Sequence, residues 1–275
     1  MPTIETPDGL RLWYQDRGGR RAPTVLALHG FTGSHRTFRG GWPVVAAAGR
    51  RLVAPDLYGH GRSPAPAAAA RLHLDHIADD LMRLPLPPSF DLLGYSMGAR
   101  LALWVAIRHP ERVSSLVLES GSPGLEDESE RALRRAQDER WATLLETEGL
   151  AAFVRRWENQ PLFATQKRLP GPVRLRLRRE RRSQDPAGLA ASLRGSGTGS
   201  QPSLWPCLDR LRMPVLLVAG REDAKYVGVA RQMAKRLRRV EVCVVDGAGH
   251  TPHLERPNVF WEAVERFWRD SARSG

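Results

Sequence analysis

The stretch Phe90-Asp91-Leu92-Leu93-Gly94-Tyr95-Ser96-Met97-Gly98 constrains this chain more than any other. An apolar run leads into a G-x-S-x-G pentapeptide, and an apolar helical pattern from 97 to about 109 leads out of it. The pentapeptide alone is common; with a strand before it and a helix after it, it reads as a nucleophile elbow. Ser96 then sits in a tight, strained turn that lifts its hydroxyl above the sheet. Gly94 and Gly98 fit because a Cβ at either place would clash where strand and helix pass closely.

The remainder of the chain supplies a sheet for that elbow. Residues 3–16 alternate and turn at Pro7-Asp8-Gly9, a hairpin signal. Continuous apolar runs at 24–28, 52–54, 113–118, 214–219 and 240–245 read as buried strands, and helical patterns at 42–48, 72–84, 97–109, 220s to about 238 and 257–268 separate most of them. Strands alternating with helices imply parallel βαβ units with helices on both faces of a mostly parallel sheet. From 126 to about 205 buried strands are missing, and charged helical patterns replace them at 130–145, 149–157 and 173–182, followed by a loose stretch at 195–200. The expected division is therefore an α/β core of residues 1–120 and 206–275 and a helical cap of residues 121–205.

Composition narrows the function. Net charge is +12 and only Lys167, Lys225 and Lys235 are lysines, so the excess is arginine. Nucleic-acid binding is one reading, but no nucleic-acid motif accompanies the charge, and an arginine-rich coding bias explains most of it. Some of the excess can serve an acidic substrate, because a guanidinium grips carboxylates with a planar fork. No apolar run is long enough to span a membrane and the N-terminus lacks a signal layout, so a cytoplasmic protein is expected, as monomer or homodimer. Cys207 and Cys243 lie far apart and are expected as free thiols.

A serine hydroxyl needs a base, and the base needs a group that fixes its tautomer. In this topology the order is serine, acid, histidine, with the last two at the carboxyl ends of later strands. The run at 214–219 ends in Gly220-Arg221-Glu222-Asp223 and the run at 240–245 in Asp246-Gly247-Ala248-Gly249-His250, which selects Ser96, Asp223 and His250. Glu222 should point away, Asp246 reads as a strand-end residue, and His253 should fall on the next turn. His73, His76 and His109 read as surface groups, and His29 and His60 as groups that hold loops together. An oxyanion needs two backbone donors: the N–H of Met97 at a helix start, and that of Phe31 in His29-Gly30-Phe31-Thr32-Gly33.

With these residues placed, the chain resembles the α/β-hydrolase fold over nearly its whole length, which implies an eight-stranded, mostly parallel sheet with an inserted cap. A narrower resemblance rests on Gly94-Tyr95-Ser96-Met97-Gly98-Ala99-Arg100, Glu119 to Leu125, Arg131, Arg134, Asp138 and Trp141, Trp157 before Gln160-Pro161-Leu162-Phe163, the run 178–182, Gly195 to Gly199, and Gly220 to Tyr226. Together these resemble the 2-succinyl-6-hydroxy-2,4-cyclohexadiene-1-carboxylate synthases of menaquinone biosynthesis. That resemblance implies elimination of pyruvate from a small polycarboxylate, with the triad as general base and neither cofactor nor metal. It puts Tyr95, Arg100, Arg134, Trp157 and Arg178 against the substrate; Arg179 or Arg182 could fill the place of Arg178. Arg100, one turn after Ser96 on an otherwise apolar helix, requires a partner if buried. An ordinary carboxylesterase or C–C hydrolase, with a covalent acyl-serine, is the alternative the same triad allows.

Overall fold

Runs such as Val25-Leu26-Ala27-Leu28 leave no face for water, and strands of this kind are stable only between two covered surfaces. The structure, a computed structural model, describes residues 2–273. Among them eight strands form one sheet: β1 (Thr3–Glu5), β2 (Arg11–Arg17), β3 (Thr24–Leu28), β4 (Arg51–Pro55), β5 (Phe90–Tyr95), β6 (Val113–Glu119), β7 (Val215–Gly220) and β8 (Val240–Val245). Their order is β1-β2-β4-β3-β5-β6-β7-β8. β1 and β2 are antiparallel additions, and the strands from β4 to β8 run parallel.

Alternate residues of each strand feed the two faces. Leu26 and Leu28 join a cluster with Ile77, Leu101 and Val105, on α2 (Leu74–Leu81) and α3 (Met97–Arg108). Val25 and Ala27 join another with Val45, Phe260 and Trp261, on α1 (Trp42–Ala47) and α9 (Pro257–Arg273). α8 (Ala224–Ala234) covers the first face beside β7 and β8. The chain runs from β3 outward to β4 and then returns to pair β5 on the other side of β3. At such a reversal the loops leaving the carboxyl ends of neighbouring strands splay apart and open a crevice. The loop after β3 and the turn after β5 meet there.

Between β6 and β7 the chain builds a helical layer over that crevice: α4 (Glu128–Thr147), α5 (Gly149–Trp157), α6 (Gly171–Arg181) and α7 (Pro186–Ser196). It has its own apolar cluster, including Leu145, Phe153, Trp157, Phe163, Leu189 and Leu193. α7 corrects the sequence reading, which leaves this segment without a helix and treats 195–200 as loose; Gly195 and Ser196 are its last turn. The start signal was present: the Asp185 carboxylate accepts from Gly188 N–H at 2.8 Å and Pro186 opens the helix. α7 docks backbone to backbone on the loop after β4. A Cβ on Gly188 would lie 2.6 Å from the Gly59 carbonyl oxygen, and one on Gly59 2.4 Å from that of Gly188.

Candidate active site

Ser96 links β5 to α3 with φ 52° and ψ −108°, a conformation side chains seldom adopt. The close passage expected on either side of it is present. A Cβ on Gly94 would sit 2.4 Å from the Gly98 carbonyl oxygen, and one on Gly98 2.1 Å from that of Leu28. The Ser96 N–H donates to the Glu119 carbonyl at 2.8 Å, which ties the strained turn to β6.

The Ser96 hydroxyl lies 3.0 Å from His250 Nε2, and His250 Nδ1 lies 2.7 Å from Asp223 Oδ2. A carboxylate only accepts, so Nδ1–H donates to Asp223 and Nε2 is left to accept the Ser96 proton. His250 and Asp223 are buried, and Asp223 is held at the start of α8 by Tyr226 N–H. Glu222 points outward to Arg168, and Asp246 pairs with Arg221 at the surface. His29 Nε2 accepts from Leu57 N–H at 2.9 Å, a loop-holding bond. Burial lowers the pKa of His29 and pushes that of His60 down to about 3, so both are neutral. His253 belongs to a second buried pair: its Nδ1 lies 2.8 Å from both Glu119 oxygens, and its Nε2 has no partner among the described residues. Its ring packs 4.9 Å from that of Tyr95. Sequence reading did not find this pair, because nothing local connects positions 134 apart.

The loop after β3 turns at Gly30–Gly33, with Gly33 N–H donating to Gly30 O at 2.9 Å. Gly30 lies on the Tyr95 ring, where a Cβ would come within 2.6 Å of two ring carbons. The Phe31 N–H donates to no protein acceptor among the described residues. Met97, as the first residue of α3, has no intrahelical acceptor for its own N–H. Both donors are thus free for a ligand oxygen.

Above the elbow lies a cavity of about 270 Å³, lined from the core by Ser96, Met97, Arg100 and Tyr226 and from the cap by Arg134, Trp157 and Arg181. Arg100 is 8% exposed, donates to Gln201 Oε1 at 2.9 Å and to Ser196 O at 3.0 Å, and has no carboxylate at ion-pair distance among the described residues. Burial, reinforced by the Arg134 charge, holds its pKa down to about 10, which leaves it cationic at neutral pH. Arg134 lines the cavity while paired to buried Asp138 at 2.9 Å. Trp157 both lines the cavity and packs the cap, its ring 5.2 Å from Phe31 and 5.3 Å from Phe153, with Nε1 buried and without a partner among the described residues. Tyr95 is buried beneath the loop and lines the cavity.

Arg178 does not reach the cavity. Its side chain is 58% exposed and pairs with Glu158 at 2.7 Å on the outer side of the cap. Arg181 takes the expected place, 8% exposed, donating to Gln166 Oε1 at 2.9 Å. The cavity-lining residues of α6 are Val173, Arg176, Leu177, Glu180 and Arg181. Those are the three- and four-residue steps of one helical stripe, and 178 lies off it.

Residues 23–257 match the α/β hydrolase fold family. A Bacillus subtilis (strain 168) protein, provisionally named 2-succinyl-6-hydroxy-2,4-cyclohexadiene-1-carboxylate synthase, is 40% identical over 96% of this chain and 97% of its own. The synthase of that name from Serratia proteamaculans (strain 568) is 30% identical over 91% of this chain and 95% of its own. The chain belongs to this synthase family. The solved structure of MenH from S. aureus superposes with a TM-score of 0.89 at 32% identity, covering 94% of this chain and 98% of that one. Family and fold agree over the cap as well as the core, so the cap arginines fall within the matched region. Among the described residues no helix is long and apolar enough to cross a membrane.

Proposed function

We propose that the protein is a cofactor-independent carbon–oxygen lyase. It eliminates pyruvate from 2-succinyl-5-enolpyruvyl-6-hydroxy-3-cyclohexene-1-carboxylate and leaves 2-succinyl-6-hydroxy-2,4-cyclohexadiene-1-carboxylate. The observation that carries this reading is Arg100, a buried cation in the cavity wall, one turn beyond Ser96, whose hydrogen-bond partners among the described residues are neutral oxygens. An enclosed unpaired charge is costly, and a carboxylate of the substrate supplies its counter-ion. Arg134 and Arg181 add two more guanidiniums from above, each also paired to a carboxylate of the cap (Asp138 at 2.9 Å and Glu158 at 3.3 Å), and a wall of this kind suits an anionic substrate better than a neutral ester.

In this reading Ser96 Oγ takes the proton from the carbon next to the succinyl ketone while its own proton passes to His250 Nε2. Asp223 holds the resulting imidazolium. Charge moves to the ketone oxygen, which accepts from Phe31 and Met97 N–H. The electrons shift around the ring and break the C–O bond to the enolpyruvyl group, and the proton on His250 completes the departing pyruvate. An oxyanion hole serves an enolate as well as a tetrahedral intermediate; one donor is worth roughly 10²–10³-fold and general-base help roughly 10²–10⁴-fold. No acyl-enzyme is needed.

The test is pyruvate release from the enolpyruvyl substrate by wild type, Ser96→Ala and Arg100→Ala. Loss in both variants is expected. Unchanged turnover in Arg100→Ala removes Arg100 as the counter-ion of the substrate, and a wild type that releases no pyruvate, or a trapped acyl-Ser96 on this substrate, overturns the lyase scheme in favour of a covalent hydrolase.

A further inference from the structure

Thr32 has φ 65° although it is β-branched. It is the third residue of the turn closed by Gly33 N–H to Gly30 O, a place that favours glycine. A turn of this kind persists only where its surroundings over-determine it. The surroundings here come from the cap. Gln184, 5% exposed in the link between α6 and α7, donates through Nε2 to Thr32 O at 3.3 Å and Gly33 O at 3.2 Å. Its Oε1 accepts from Gly61 N–H at 2.8 Å. One buried amide therefore joins the cap, the loop carrying Phe31, and the loop after β4. The last two are already fused by Asp56, which accepts from His35 N–H at 2.6 Å and Arg62 N–H at 3.0 Å. Beside it Glu180 accepts from the Ser34 hydroxyl, a second strut from α6 to the same loop.

We propose that Gln184 is a positioning residue for the oxyanion hole: it fixes the strained Gly30–Gly33 turn so that Phe31 N–H faces the reacting oxygen, and so makes the hole dependent on a seated cap. The inference rests on the assignment of Phe31 as an oxyanion donor in the proposed function. Gln184 is not among the cavity-lining residues and acts through the carbonyls of Thr32 and Gly33. Gln184→Glu keeps the acceptor for Gly61 but loses the donor, whereas Gln184→Ala loses both. Thr32→Gly removes the conformational penalty, so the turn no longer needs the clamp.

The experiment compares these variants and Thr32→Gly/Gln184→Ala with wild type, using phenylboronic acid and succinate as probes. Ser96 Oγ bonds the boron, its proton passes to His250, and a boronate oxygen enters the hole; succinate engages only the guanidiniums. Gln184→Ala and Gln184→Glu are expected to weaken phenylboronate binding about 10–10²-fold, as a misplaced donor does, with succinate affinity within about twofold of wild type. The double variant is expected to recover boronate affinity to within about threefold. Unchanged boronate affinity, equal weakening of both probes, failure of Thr32→Gly to rescue, or a wild type that forms no Ser96 adduct each overturns the proposal. A wild type that shows the expected boronate pattern but releases no pyruvate counts against the substrate reading alone.

Discussion

The core and the cap face each other across one cavity, and they contribute different chemistry to it. The core places Ser96, Asp223 and His250 just past the carboxyl ends of β5, β7 and β8, in short connections anchored by the paired strands. The cap contributes long side chains from helix surfaces: Arg134 from α4, Trp157 from α5 and Arg181 from α6. Reaction geometry thus rests on backbone, and substrate reading rests largely on rotamers. Arg100 is the exception that joins the two. It lies on a core helix, yet its guanidinium is held by Ser196 and Gln201 from the cap side of the chain.

The sharpest break of that division is a core substitution. Ser96→Ala or His250→Ala is expected to cut turnover of both the enolpyruvyl substrate and p-nitrophenyl acetate by at least about 10³-fold, since triad members act as a unit. Steady-state assays on the two substrates check it; survival of either activity ends the claim of a shared centre. Next comes Arg100→Gln, for which kcat/KM on the tricarboxylate should fall about 10–10²-fold, the worth of a charge-assisted contact. Ester hydrolysis should stay within about threefold.

A smaller effect separates two neighbours on one cap helix. Arg181→Ala is expected to raise KM for the anionic substrate about tenfold, and Arg178→Ala to change it by less than about twofold, because only the former lines the cavity. Equal effects would mean that the cap reads its ligand through diffuse charge rather than position.

How legible each region was follows the same division. The strands, the elbow, Asp223 and His250 are readable because each follows a local rule: an apolar run, a glycine-flanked serine, an acid and an imidazole just past a strand end. Cap contacts follow no such rule. The α6 stripe through 173, 176, 177, 180 and 181 is visible as periodicity, but which stripe turns inward is decided by packing on another element, and that packing turns 178 outward to Glu158. Gln184 and the His253–Glu119 pair depend on contacts across more than a hundred residues. The start of α7 was different: Asp185-Pro186 announced it, and the glycine near its end obscured it.

The mildest test concerns stability rather than rate, and it isolates the core loops. Burial holds the His60 pKa at about 3 in the folded protein and lowers that of His29, against 6.5 for a free imidazole. Below about pH 6.5 the unfolded chain therefore binds protons that the folded protein refuses, so stability falls as pH drops toward 3. His60 alone should account for about 2 kcal/mol between pH 7 and pH 5. Denaturant midpoints at the two pH values measure it, and His60→Phe should flatten the slope.

Arg100 has a meaning beyond affinity. A cation walled in, with no carboxylate at ion-pair distance among the described residues and Asp138 attracting it only from further off, makes the vacant enzyme the less comfortable form of the molecule. Whatever polyanion fills the chamber acts as a folding ligand as well as a reactant. The protein's resistance to unfolding and proteolysis is then coupled to supply: a cell that stops making the reactant also loosens the catalyst that consumes it.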